Sequence, residues 1–195
     1  NRYVITPRFA ISCSTEQLIA AGRLHEQYPG TYIQTHLSEN KDEIDSTLSL
    51  CPDCQDYLEV YERARLVTDR SIFGHCIHLS DSECRRLVEA GSVVAHCPTS
   101  NLFLGSGLFD MQQANRVGMQ TVLATDIGAG TSFSMLRTMG EAYKVQQLGG
   151  YPMSVFESLY KCTLGAAKAL HLDDEIGCFG KGRKADFIVC LLYTS

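Results

Sequence analysis

Apolar and β-branched residues gather into five short runs, at residues 2–6, 31–36, 71–76, 92–97 and 120–125, each followed by a polar turn and a longer amphipathic stretch. Short apolar runs bounded by turn residues predict strands, and the longer stretches predict helical crossovers, so the alternation is that of a parallel sheet. Three helix starts carry their own signal. Ser14 with Gln17, Ser80 with Glu83 and Ser154 with Glu157 have the S-x-x-E/Q spacing in which side chain and backbone amide cap each other reciprocally. Helices are also expected across 40–50, 108–117 and 133–148, and a helical insertion is expected around 50–70.

Five strand-helix units suit either a doubly wound sheet or part of a (β/α)8 barrel. No G-x-G-x-x-G or G-x-x-x-x-G-K-[ST] follows the first strand, so nucleotide-type doubly wound folds lose their marker. Polar residues stand at the strand ends instead: Arg8, His36, His75, His96 and Asp126 each lie at or just beyond a C-terminal end. A (β/α)8 barrel places its active site there. The expected fold class is therefore α/β, with residues 1–172 forming the later strands and helices of a TIM-type barrel. Residues 173–195 read as the start of a small C-terminal β segment, with a strand at 185–189.

Charge and composition narrow the partners. Lys plus Arg number 17 against 22 Asp plus Glu in 195 residues, a formal net charge of -5, and no basic run is long enough to track phosphates, which argues against nucleic acid. No apolar stretch approaches the roughly 20 residues that span a bilayer, and the start at Asn1 has no signal-peptide pattern. The nine cysteines are odd in number and irregularly spaced, and Cys76, Cys97 and Cys162 sit inside apolar runs, so a reducing cytoplasm is expected. Cys51 and Cys54 have C-x-x-C spacing but no second pair, and read as a surface loop.

The strand-end residues carry the chemistry. His36 is followed three residues later by Glu39, and Asn40 with Glu43 can cap the next helix, which leaves Glu39 in the loop and free to face the mouth. A neutral imidazole suits Zn²⁺ or Fe²⁺, and a carboxylate beside it can move protons. His75 ends the next strand after Gly74, and His78 is its weaker competitor. His96 stands at a strand end too, but Pro98 and the polar run after it are as consistent with a shaped loop. Asp126 follows four strand residues, and a carboxylate there is costly to bury unless paired or bound to a metal. Histidines and an aspartate arriving at one face from successive strands, with a spare Glu, assemble a hydrolytic metal centre more specifically than any member alone.

Several segments carry a family resemblance: Thr35-His36-Leu37-Ser38-Glu39-Asn40, Gly74-His75, His96-Cys97-Pro98-Thr99-Ser100-Asn101 and Thr125-Asp126-Ile127-Gly128-Ala129-Gly130. In these the chain resembles the amidohydrolase superfamily. With Ile5-Thr6-Pro7-Arg8-Phe9, residues 99–108 and Thr131-Ser132-Phe133-Ser134-Met135, it looks most like the bacterial guanine deaminases in that superfamily. The resemblance implies one Zn²⁺ per subunit, with Fe²⁺ as the other candidate, held by His36 and Asp126. It implies that His75 touches the metal or orients the hydrolytic water, and that Glu39 shuttles protons. Arg8 and Phe9 would hold the purine beside His36, Glu39 and Asp126. Guanine would become xanthine and ammonia. The family's first-strand HxH pair is not found in this sequence, so the piece alone is expected to be inactive, and its longer parent to be a homodimer. The neighbouring readings are a family member acting on a triazine, pyrimidine or oxidised purine, or a non-catalytic interaction protein of the same fold. The end, Cys190 to Ser195, does not match the family.

Overall fold

In a computed structural model of the chain, residues 2–189 are described. They form five strands: β1 (Val4–Ile5), β2 (Tyr32–Leu37), β3 (Ser71–His75), β4 (Val93–His96) and β5 (Gln120–Leu123). All pair in parallel, in sequence order. The helices are α1 (Thr15–Gln27), α2 (Lys41–Leu50), α3 (Tyr57–Arg63), α4 (Asp81–Glu89), α5 (Pro98–Leu104), α6 (Met111–Val117), α7 (Met135–Leu148), α8 (Val155–Cys162) and α9 (Leu164–Ala169). A sheet whose neighbours follow chain order, with a crossover helix or helices between successive strands, is an arc of a (β/α)8 barrel.

Local sequence explains most element starts. Ser14, Asn40 and Ser80 each form a reciprocal capping box with Gln17, Glu43 and Glu83. Ser154 accepts from the Glu157 amide, but Glu157 gives its carboxylate to Tyr151 and Asn115 rather than back to the cap, so that box is only half made. The run from Pro98, expected to be a loop as readily as anything else, is helical: Pro98 sits in the first turn, where its missing N–H costs nothing. Residues 185–189 form no strand. Phe187, Ile188 and Val189 are exposed and have no neighbouring strand to pair with among the described residues, and an isolated strand cannot satisfy its own backbone. Residues 190–195 lie outside the described part.

Side-chain alternation gives the sheet two faces. Ile33, Leu37, Phe73, Val94 and Leu123 bury against Leu18 of α1, Leu58 and Tyr61 of α3, Leu87 of α4 and Met111 of α6. The opposite face, the barrel interior, carries Ile72, Val93, Ala95 and Val122, closed by Ala166 and Ala169 of α9. At the N-terminal end of the strands, the Tyr32 hydroxyl donates to the Leu170 carbonyl just past α9. The C-terminal end is left to polar residues.

The helical insertion is a brace. Arg86 of α4 pairs with Asp56 and Glu62 at the two ends of α3. Tyr57 and Tyr61, one turn apart, are both fully buried. The Tyr61 hydroxyl accepts from the Ala10 amide at 3.0 Å and donates to the His36 carbonyl at 2.8 Å, tying the loop after β1 to β2. Helix α1 closes on the end of α3 at Gly22, where an added Cβ would lie 1.9 Å from the Ala64 carbonyl oxygen. Gly22→Ala should therefore destabilise the full-length protein by about 1 to 3 kcal/mol, as overpacking does. Gly140→Ala, with nothing within 4 Å of its Cβ in the interior of α7, should instead stabilise it by about 0.5 to 1 kcal/mol. Denaturant midpoints of the two variants check this, and equal shifts of the same sign would contradict it.

Candidate active site

Register explains how His36 reaches the mouth. It pairs with Gly74, which pairs with Ala95, so its side chain emerges on the interior face. His75 pairs with Leu37 and would by alternation point into the helix layer. Its φ of 70° reverses this. A strand residue has φ near −120°, and rotating the N–Cα bond by about half a turn carries Cβ across the sheet. The His75 ring accordingly stacks on His36 at 5.0 Å. Ser38, Cys76 and Asp126 also have positive φ, at 50°, 52° and 47°. Left-handed backbone in non-glycine residues is strained, and here it is concentrated at the strand ends that carry His36, His75 and Asp126.

The Asp126 turn depends on a glycine. The Gly130 amide donates to the Asp126 carbonyl at 2.6 Å, and a Cβ at position 130 would meet the Thr125 carbonyl oxygen at 1.7 Å. No side chain fits there without moving Asp126.

Each imidazole has one nitrogen committed. His36 Nδ1 donates to the Arg8 carbonyl at 2.7 Å, leaving Nε2 with its lone pair. His75 Nδ1 donates to Asn101 Oδ1 at 2.8 Å, and its Nε2 lies 4.0 Å from Asp126 Oδ2. Glu39 stands on the other edge of the His75 ring, with Oε1 3.6 Å from Nδ1, and accepts from the Ser106 hydroxyl at 3.0 Å. Its backbone amide donates to Glu43 Oε2 at 2.9 Å, and the Tyr57 hydroxyl donates to the other Glu43 oxygen at 2.8 Å. Above His36 the Phe9 ring lies at 5.3 Å, and the Arg8 guanidinium lies 5.0 Å from the Phe9 centroid.

His36, Glu39 and His75 have donor atoms within 4.8 Å of one another, the one such trio among the described residues. Asp126 lies just outside it, on the Nε2 side of His75. Donors about 2.0 to 2.2 Å from a cation lie no more than about 4.4 Å apart; His75 Nε2 and Asp126 Oδ2, at 4.0 Å, meet that spacing, and His36 Nε2 beside them has a free lone pair. Because the His75 Nδ1 proton is committed to Asn101, the Nε2–Asp126 side is the one that presents a lone pair. Glu39, on the proton-bearing side, is the less suited to ligation.

Other candidates fall away. His96 pairs with Leu123, on the helix-facing side, and stacks on Phe109 at 4.7 Å. Burial, then the charges of His75 and Lys161, push its pKa down to about 3, so it stays neutral. Strand alternation with ordinary backbone separates it from the site. His78 Nε2 donates to the Ser106 carbonyl, 2.9 Å away, and supports the loop. Cys97 cannot supply a thiolate, since burial and then Asp126 push its thiol up to about 12. The sequence reading did not single out Asn101 and Ser106 for the hydrogen bonds they make, nor Tyr57 and Tyr61. The one available signal was the density of small polar residues in 99–101 and 106 beside a strand end, together with tyrosines at helical spacing.

The amidohydrolase family model matches residues 2–194. The guanine deaminase of Escherichia coli strain K12 is 53% identical over 187 residues, covering 96% of this chain and 43% of that protein. A solved structure of E. coli guanine deaminase superposes with a TM-score of 0.93 at 52% identity, over 95% of this chain and 43% of that one. Guanine deaminase from C. acetobutylicum, with guanine bound in its active site, gives 0.85 at 34% identity over 92% and 44%. An adenosine deaminase from Xanthomonas campestris with bound zinc gives 0.85 at 26% over 93% and 42%. The chain thus spans less than half the length of the relatives it matches. With a barrel arc whose strand ends gather two histidines, a glutamate and an aspartate, and a family match over nearly every residue, the chain belongs to the amidohydrolase family.

Proposed function

We propose that a full-length protein containing this sequence hydrolyses guanine to xanthine and ammonia, using a divalent cation at the strand ends. The carrying observation is the gathering of His36, His75, Glu39 and Asp126 at one mouth beside Arg8 and Phe9. The 53% identity to a guanine deaminase supports the choice of purine. His36 and Asp126 hold the cation, with His75 Nε2 facing the same space; zinc suits these donors, and iron(II) is the other candidate. When bound, such an ion lowers the pKa of water toward 7 and makes it a nucleophile at neutral pH.

This chain's own residues do the rest. Phe9 offers a flat face for the purine, and Arg8, exposed at the rim, donates to the base carbonyl. The attacking water gives up two protons: Glu39 carries one to the ring nitrogen, where xanthine keeps it, and the second, taken first by Asp126, goes to the departing ammonia. Guanine and water give xanthine and ammonia, and the balance is complete. A triazine or pyrimidine would leave the Arg8 donors without an oxopurine carbonyl.

The direct test is ammonia release by the full-length protein. Guanine should be deaminated, exhaustive chelation should abolish turnover, and Zn²⁺ should restore it; faster turnover of a triazine or pyrimidine than of guanine would overturn the substrate assignment. Two variants separate the roles. Glu39→Gln should keep its metal and lose roughly 10²- to 10⁴-fold in kcat, the usual contribution of acid-base groups. Arg8→Ala should also keep its metal and lose about 1.5 to 3 kcal/mol in kcat/KM for guanine, the value of a charged hydrogen bond. Unchanged kinetics with a loaded site would remove the variant's residue from the mechanism.

A further inference from the structure

The sequence 97–107 does more than fill space behind the site. Helix α5 is anchored over the barrel mouth: Thr99 donates to the Thr125 carbonyl at 3.2 Å, beside Asp126, and Ser100 donates to the Cys97 carbonyl at 3.1 Å. Thr99, Ser100 and Asn101 are all buried. Asn101 receives the His75 Nδ1 proton, and its own carbonyl accepts from the Ser106 amide at 2.9 Å. The Ser106 hydroxyl, buried with the rest, then donates to Glu39 Oε1. One short segment therefore grips the two side chains on either side of the His75 Nδ1 edge.

The grip on Glu39 has a specific physical consequence. A carboxylate on a loop can rotate about its side-chain torsions, and a proton shuttle works only while it lies within hydrogen-bond reach of both proton donor and acceptor. Glu39, in the loop before α2, is fixed at its backbone by Glu43, but no residue of α2 hydrogen-bonds its carboxylate. His75 Nδ1 is 3.6 Å away with its proton already given to Asn101. Ser106 makes the one side-chain hydrogen bond to Glu39 Oε1 among the described residues.

We propose that Ser106 is a positioning residue: its hydroxyl holds Glu39 Oε1, leaving Oε2 to face the mouth and carry the proton. The proposal rests on the reading of Glu39 as proton shuttle. Ser106 acts through Glu39, to whose carboxylate its hydroxyl donates. Asn101 and the Asn101–Ser106 backbone bond set where that hydroxyl lies.

The test is a double-mutant cycle in the full-length, metal-loaded enzyme, with Ser106→Ala, Ser106→Thr, Glu39→Gln and Ser106→Ala combined with Glu39→Gln. Ser106→Ala should lower kcat for guanine about ten- to hundredfold, part of what a complete acid-base group contributes. KM, metal content and the denaturation midpoint should stay near the parental values. Ser106→Thr, which keeps the hydroxyl, should recover most of the loss. In the Glu39→Gln background Ser106→Ala should cost little more, because two residues acting through one group are not additive. Several outcomes would overturn the proposal: parental kcat in Ser106→Ala, an equal loss in Ser106→Thr, a full additional loss in the double variant, or a fall in metal content. The shuttle reading fails separately, by parental kcat in Glu39→Gln. Loss in Glu39→Gln with none in Ser106→Ala leaves that reading standing and removes only Ser106.

Discussion

The site depends on where two imidazole protons are placed. His36 gives its Nδ1 proton to the Arg8 carbonyl and His75 gives its Nδ1 proton to Asn101, so in both rings Nε2 is the basic atom. A buried histidine whose proton is not committed has two tautomers and no fixed direction of attack on a cation. Fixing both protons gives the mouth a side that presents ring lone pairs, toward Asp126, and a side that faces Glu39. It also couples the site to the fold. The Arg8 carbonyl additionally accepts from the His36 amide at 3.3 Å and the Thr35 hydroxyl at 3.2 Å, so the loop after β1 is stitched to β2 at the point where His36 emerges.

That stitching needs support from behind, and the helical insertion supplies it. Tyr61 holds the Ala10 amide and the His36 carbonyl, while Tyr57 and Glu43 hold the Glu39 amide. Burial raises the pKa of both phenols, Tyr61 to about 12, so they remain neutral donors throughout the physiological range. Both ends of α3 are tied to α4 through Arg86. A strained backbone at Ser38, His75 and Asp126 costs on the order of 1 to 3 kcal/mol at each residue, and persists only where surrounding contacts over-determine it. The buried tyrosine pair and the Gly130 turn are such contacts.

Much of this was legible in the sequence because it is local. Strands are short apolar runs, and the boxes at Ser14, Asn40 and Ser80 need only residues three apart. His36 stood out as an imidazole closing a strand with Glu39 three residues on, and Asp126 as a carboxylate costly to bury beyond a strand end. His75 was placed correctly at a strand end, but alternation alone would have put it on the wrong face; only its positive φ returns it. His96 shows the converse, a strand-end histidine that ordinary backbone keeps in the helix layer. Ser106 lies 67 residues from Glu39 in sequence, and Tyr61 lies 25 from His36. Pairings of that separation leave no mark in periodicity or spacing. The strand expected at 185–189 failed for a related reason, since a strand requires a partner that local pattern cannot supply.

The central claim is that proton placement divides the mouth into a cation side at His36 and Asp126 and a proton side at Glu39. Anomalous X-ray diffraction at the metal edge, from crystals of the full-length protein, tests it most directly. The account predicts a single cation about 2.0 to 2.2 Å from His36 Nε2 and from an Asp126 oxygen, with Glu39 unligated and still hydrogen-bonded to Ser106. A cation ligated by Glu39 with Asp126 turned away, or one bound through His36 Nδ1, would contradict it.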